Sequence, residues 1–360
     1  MKWPLVALLL CASPALAFDT KEELGAGLFF DTDLSLNRTQ NCASCHDPAN
    51  GFVDTSGPVS MGDDGVSMGT RNAPTITYAA ETPTFEQLHD HVWRGGLFLD
   101  GRAADLAEQA GGPPLNPVEM GMPDKASVVA RLRENLDYVE AFDILFHPGV
   151  LDDAEAGFAA MTQAIAAFES TPDFASFDSK YDLFLRGEAE LSDLEELGRQ
   201  IFLSPERSNC ALCHMRHNNP MAEGETFTNY EYHNIGVPTV GEGGPDWGLL
   251  GREDMKDPKL GGQFKVPTLR NIAVTGPYMH NGMFTQLRSV VQFYNRYHCP
   301  GPPCQINPET GRYWGNPAVP MTLSVSELTE GPMLGWRDID ALVAFLRTLT
   351  DARYEHLLED

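Results

Sequence analysis

The stretch NCASCHDPA, Asn41 to Ala49, is answered much later in the chain by NCALCHMRH, Asn209 to His217. Both contain Cys-x-x-Cys-His, the spacing by which a porphyrin is fixed to a polypeptide. Each thiol can form a thioether to one vinyl group, and the adjoining imidazole then reaches the iron. Zinc would need further cysteine or histidine pairs at ligand spacing, and a thioredoxin-like redox pair would want a βαβ setting. Neither context is present. Two complete copies in one chain predict two covalent c-type haems, held by Cys42, Cys45 and His46 and by Cys210, Cys213 and His214.

The first residues, MKWPLVALLLCASPALA, carry one lysine, an apolar run from Leu5 to Leu10 and small residues at Ala15 and Ala17. That is the pattern of a secretory signal, with cleavage expected after Ala17, and the run is too short to span a bilayer. A lipid on Cys11 is the alternative, disfavoured by Leu10 where a small residue would precede a lipidated cysteine. A periplasmic protein with no stable membrane insertion after cleavage is therefore expected. Of seven cysteines, one lies in this leader and four in the motifs, leaving Cys299 and Cys304 in HCPGPPC. In an oxidising compartment a local disulfide is favoured over a metal pair. The 51 acidic against 25 basic residues, a formal charge of −26, argue against nucleic acid and against anionic membranes. They suit a partner protein with a basic patch.

The chain repeats itself beyond the motifs. ELGAGLFFDTDLSLNRTQNCASCH (Glu23 to His46) parallels ELGRQIFLSPERSNCALCH (Glu196 to His214), and RNAPTITYAA with DGRAADL parallels KVPTLRNIAV with NGMFTQL. At 360 residues the length suits two domains. An internal duplication is expected: residues 1–17 as leader, 18–175 and 176–360 as two cytochrome-c-like haem domains, with the boundary between Thr171 and Glu190. The fold class is all-α. Phe158, Met161, Ile165 and Phe168 share one helical face, as do Ile339, Leu342, Val343 and Leu346, and helical signals run from Lys125 to Phe146. Long Gly/Pro-rich loops, Gly51 to Pro74 and Pro238 to Gly262, break the pattern.

Longer runs carry a resemblance: LNPVEM (Leu115 to Met120), FDSKYD (Phe177 to Asp182), ETFTNYEYHNIG (Glu225 to Gly236), VTGPYMHNG (Val274 to Gly282), FYN (Phe293 to Asn295) and INPETG (Ile306 to Gly311). Through them the chain resembles the bacterial dihaem cytochrome c peroxidases, in particular their MauG branch. The resemblance implies an enzyme that uses hydrogen peroxide, or oxygen plus electrons, through high-valent haem iron to oxidise aromatic side chains of a partner protein. The alternative is a peroxidase fed with electrons by a small redox protein, and a non-catalytic electron carrier is a third reading. The first haem would be high-spin and peroxide-reactive, with Glu119 as distal carboxylate and Gln109, Pro113 and Met120 around it. The second would be low-spin, with Tyr294 where ordinary relatives place methionine; Met279, His280, Met283 and His233 are rival ligands. One calcium ion is implied between the haems, on Asn72, Thr275 and Pro277, while GDDG (Gly62 to Gly65) reads as a turn that only looks calcium-like. Two positions depart from the branch. FLDGR carries Leu99 where the family usually has a bridging Trp, and Ser208 stands where a surface Trp would be, with Trp93 as a possible substitute route.

Overall fold

The computed structural model describes residues 17–217, 219, 222–241 and 243–358. The leader expected at the N-terminus lies almost entirely outside them. Among the described residues no helix is long and apolar enough to cross a membrane.

Two helix crossings organise the chain. The Lys21–Phe29 helix, started by the Thr20 hydroxyl accepting from Glu23 N, crosses the Ala154–Glu169 helix, started by Asp153. The Asp193–Leu203 helix, started by a Ser192/Glu195 capping box, crosses Trp336–Arg347. Both crossings are close because the entering helix carries glycine at the contact. A Cβ on Gly25 would stand 1.9 Å from Ala164 O, and one on Gly198 would stand 1.9 Å from Ala341 O. These are the glycines of the two Glu-Leu-Gly runs noted in the sequence.

Around the first crossing Leu24, Leu28, Phe29, Phe158, Met161, Ile165 and Phe174 form one core, closed by Tyr354 from the C-terminal end. Around the second, Tyr181, Ile201, Phe202, Phe227, Ile339, Leu342 and Phe345 form another. The helical faces read from the sequence are thus the buried faces. The Lys125 to Phe146 signal resolves into two helices, Lys125–Leu132 and Leu136–Leu145, separated where the Asn135 side chain caps the second.

The expectation of an all-α chain needs amending, because three two-stranded antiparallel ladders are present among the described residues. Glu86–His89 pairs with Val92–Arg94, Tyr232–His233 with Phe264–Lys265, and Ile306–Asn307 with Arg312–Tyr313. Each is too short to show period-two alternation. Cys299 and Cys304 form the expected disulfide, their Cα atoms 5.8 Å apart. GDDG is a turn: Asp63 accepts from Ser35, Asn37 and Thr39, and Asp64 from Val66 and Ser67.

The C-terminal segment ties the two cores together. Tyr78 OH donates to Asp351 Oδ1 at 2.6 Å, and Asn271 Nδ2 donates to Asp351 Oδ2 at 2.8 Å. Arg71 adds a second tie, paired with Asp246 and Asp100.

Candidate haem centres

Each Cys-x-x-Cys-His is wound into a single helical turn. His46 N donates to Cys42 O at 2.9 Å, and His214 N donates to Cys210 O at 3.0 Å. Residues i, i+3 and i+4 of such a turn share a face, so both thiols and the imidazole are presented to one macrocycle. All four cysteines are free, and burial pushes their thiols upward, with Cys213 raised to about 12.

The histidines are oriented identically. His46 Nδ1 lies 3.1 Å from Phe52 O, and His214 Nδ1 lies 3.2 Å from Phe227 O. A carbonyl can only accept, so each Nδ1 carries the proton and each Nε2 lone pair is left for a metal. Burial keeps both rings neutral, lowering His46 and bringing His214 to about 4. Both carbonyls belong to phenylalanines in the left-handed region, with φ of 59° at Phe52 and 55° at Phe227. That conformation aims the carbonyl back at the ring. The free thiols and neutral imidazoles of both motifs, and the open space lined by Cys210, Cys213 and His214 at the second, fit two c-type haems, and intact-mass measurement of the denatured protein should show the polypeptide plus two haem groups. Unmodified Cys42 or Cys210 would overturn this assignment.

The space around the two motifs differs in chemistry. Near the first, a cavity of about 280 Å³ is lined by Phe98, Arg102, Ala103, Glu108, Gly112, Asn116 and Glu119. Glu119 is half-buried, and burial raises its pKa above the usual carboxylate value, opposed by the Arg102 charge and an Asn116 hydrogen bond. Its charge reaches the Cys45 thiol, so the carboxylate lies within electrostatic range of the first motif. The other residues named with it serve differently. Met120 turns into the first core with its N–H on Pro113 O, and Gln109 is half-buried on the short Leu106–Ala110 helix. Sequence reading missed Arg102, which stacks 3.5 Å above the Phe98 ring and pairs with Asp100. Its position depends on a loop, not on a periodic pattern.

Near the second motif, a cavity of about 270 Å³ is lined by Cys210, Cys213, His214 and Tyr294 among others. Tyr294 lies on the Leu287–Asn295 helix, with its side chain at the cavity beside the motif. Of the rival ligands, His233, Met279 and His280 also line this space, whereas Met283 packs with the Phe284 and Trp314 cluster. His280 is stacked on Phe264, ring centroids 3.9 Å apart.

Asn72, Thr275 and Pro277 all line the same cavity, at the junction with the first half. The Asn72 amide donates through Nδ2 to Pro58 O at 3.1 Å, which leaves Oδ1 as its oxygen donor. Among the described residues no cluster of three or more His, Cys, Asp or Glu could hold a metal ion. An amide, a hydroxyl and carbonyl oxygens are instead the donors a hard cation accepts.

Adjacent residues divide the two cavities: Phe98 lines the first and Leu99 the second. Trp93 joins neither. It stacks on Phe85 at 4.8 Å and packs with Tyr232, Leu249, Met255 and Leu260, a packing residue away from both lining sets. Ser208 is buried, its hydroxyl donating to Ile201 O at 2.7 Å, so that position is not a surface site in this chain.

Known proteins resemble this chain in sequence and in overall fold. Residues 19–190 match the family model described as di-haem cytochrome c peroxidase. The chain is 52% identical to the methylamine utilization protein MauG of Paracoccus denitrificans, over 96% of this chain and 92% of that protein. It is 31% identical to the cytochrome c551 peroxidase of Pseudomonas aeruginosa, over 76% of this chain and 71% of that one. Among solved structures, the diheme peroxidase BthA from Burkholderia thailandensis superposes with a TM-score of 0.83 at 31% identity, covering 95% of this chain and 88% of BthA. With its two haem-attachment turns, a carboxylate at one and a tyrosine at the other, the chain belongs to the di-haem cytochrome c peroxidase family and is a MauG-type member of it.

Proposed function

We propose that this protein is a periplasmic MauG-type oxidase that reduces hydrogen peroxide at the first haem and takes the electrons, by way of the second, from aromatic side chains of a partner protein. The observation that carries the reading is the asymmetry of the two cavities, a half-buried carboxylate at one and Tyr294 at the other. A haem held by Cys42, Cys45 and His46 would supply iron that reacts with peroxide, and one held by Cys210, Cys213 and His214 would supply iron that exchanges electrons. Peroxide becomes two waters by taking up two electrons and two protons, and the protein must move those protons.

Glu119 is suited to that work. Its raised pKa lets it hold a proton as well as accept one. Taking a proton from one peroxide oxygen and delivering it to the other lets the second oxygen leave as water. Arg102 lowers the cost of the ionised carboxylate, and Asn116 hydrogen-bonds it. At the second site Tyr294 offers a hard phenolic oxygen where a thioether would favour the reduced metal. Such a ligand suits a centre that receives oxidising equivalents. In the plain peroxidase reading the second site would instead relay electrons from a small redox protein, and Tyr294 weighs against it.

The reading extends to organisation. Two haem units, residues 18–175 and 176–360, derived from one ancestral unit, are supported by the matched Gly25 and Gly198 crossings and by the matched Phe52 and Phe227 carbonyls. Tyr78 and Asn271 add a third match, each with φ of 60° ahead of a short 3-10 turn. Calcium on Asn72, Thr275 and Pro277 would pin the junction, and the excess of acidic residues would steer a basic partner toward the surface.

Tyr294 provides the test. Tyr294→Phe should abolish the low-spin ferric signal in EPR while the high-spin signal persists, and Tyr294→Met should restore a low-spin centre at a higher potential. An unchanged low-spin signal in the Phe variant would hand the ligand role to His233, Met279 or His280.

A further inference from the structure

We infer that Lys265 is the cation that binds a carboxylate of the second haem, and that this ion pair anchors the haem to the segment dividing the two pockets. The inference rests on the second haem being attached at Cys210 and Cys213. A c-type haem held by thioethers at its vinyl edge brings two propionate carboxylates into the protein. Carboxylates placed in a largely apolar cavity are costly unless paired.

Among the described residues lining the second cavity, Lys265 is the sole lysine or arginine. Asp246 and Glu327 line it as well, and carry the wrong charge. The Lys265 amine is deep enough that burial brings its pKa down to about 7, against the pull of Asp100. Asp100 does not complete a pair with it, being engaged with Arg71 and Arg102. An ammonium has three N–H donors. One goes to Gly96 O. Lys265 is among the residues that line the second cavity, where an anion would keep the amine charged.

The backbone fixes where this cation stands. Lys265 lies in the Phe264–Lys265 strand, paired with Tyr232, and its N–H donates to Leu99 O at 2.9 Å. Side chain and main chain therefore grip Gly96 and Leu99, on either side of Phe98. Phe98 lines the first cavity and Leu99 the second. A haem carboxylate on Lys265 would be joined by polar contacts to the strip of chain between the haems, where this protein has no aromatic bridge at Leu99.

Removing the cation leaves a haem carboxylate uncompensated, which favours ferric iron and lowers the potential of that haem. Intact mass and EPR of the holoprotein come first, because fewer than two haems would overturn the dihaem reading and this inference with it. With both haems in place, spectroelectrochemical titration of Lys265→Met and Lys265→Gln should show the low-spin haem shifted to lower potential in both variants, and the high-spin haem unmoved. Gln can still donate to Gly96 O but bears no charge, so it separates a hydrogen-bonded strap from an ion pair and serves as the second variant if Met impairs folding. A low-spin potential equal to wild type in either folded variant would overturn the assignment.

Discussion

Replacing Glu119 by Gln should slow the reaction with peroxide by about 10²–10⁴-fold, the usual worth of a positioned acid/base group, while both haem spectra stay intact. The amide keeps the shape and can still bond Asn116, but it cannot take and return a proton. The pH profile gives the sharper signature. Burial lifts the Glu119 pKa above its ordinary 4.5, and the group acts as base only when ionised. Wild-type peroxide rates should therefore rise with pH through an ionisation above that value, and Glu119→Gln should lose this step. Stopped-flow mixing of peroxide with the diferric protein measures both. Rates and profile unchanged from wild type would remove Glu119 from the mechanism.

The second large effect is on stability, at a site that looks like family decoration in the sequence. Asp182, the last residue of FDSKYD, accepts from Arg270 Nη1 at 2.5 Å and Nη2 at 2.9 Å, with side-chain exposures of 4% and 0%. Arg270 Nε donates to Glu225 O at 2.8 Å, and the Glu225 carboxylate accepts from Arg216, His217 and Phe227 backbone N–H groups. Phe227 O in turn receives His214 Nδ1. Asp182→Ala strands a buried guanidinium and should cost about 3–5 kcal/mol, read by denaturant unfolding. Loosening of Phe227 should also broaden the low-spin EPR signal. Because the pair is buried, Asp182→Leu with Arg270→Met should recover much of the loss. A loss below about 1 kcal/mol in Asp182→Ala would show the pair to be no more than a surface-type contact.

Acid should act on the same pair. Burial by itself would raise the Asp182 pKa, but its hydrogen bonds and charge interaction with Arg270 outweigh this and hold it below the ordinary 3.8. A folded-state pKa that is depressed adds stability above the unfolded value and loses it as pH falls through the folded one. This contribution should therefore be intact at neutral pH and vanish only in strong acid.

The sequence by itself determined the cofactor chemistry and the two cores, because those depend on short-range spacing, and the family through longer matched runs. Cys-x-x-Cys-His works within one helical turn, and a helix's buried face repeats every three or four residues whatever it packs against. Tertiary structure decided what each haem site can do, since that depends on residues brought together across long loops. No periodicity places Arg102 beside Glu119, sets Lys265 among the residues lining the cavity of the second motif, or puts Phe98 in one lining and Leu99 in the other. The short ladders were equally illegible, their partners being fixed by the packing around them: Tyr232–His233 meets Phe264–Lys265 only once both are folded. Trp93 and Ser208 make the same point. Their residue types suggested or denied a redox role, but burial beside Phe85 and under Ile201 O settled where each stands. Local spacing is written in the chain, whereas the distance between two loops exists only after the chain has paid the entropy of closing them.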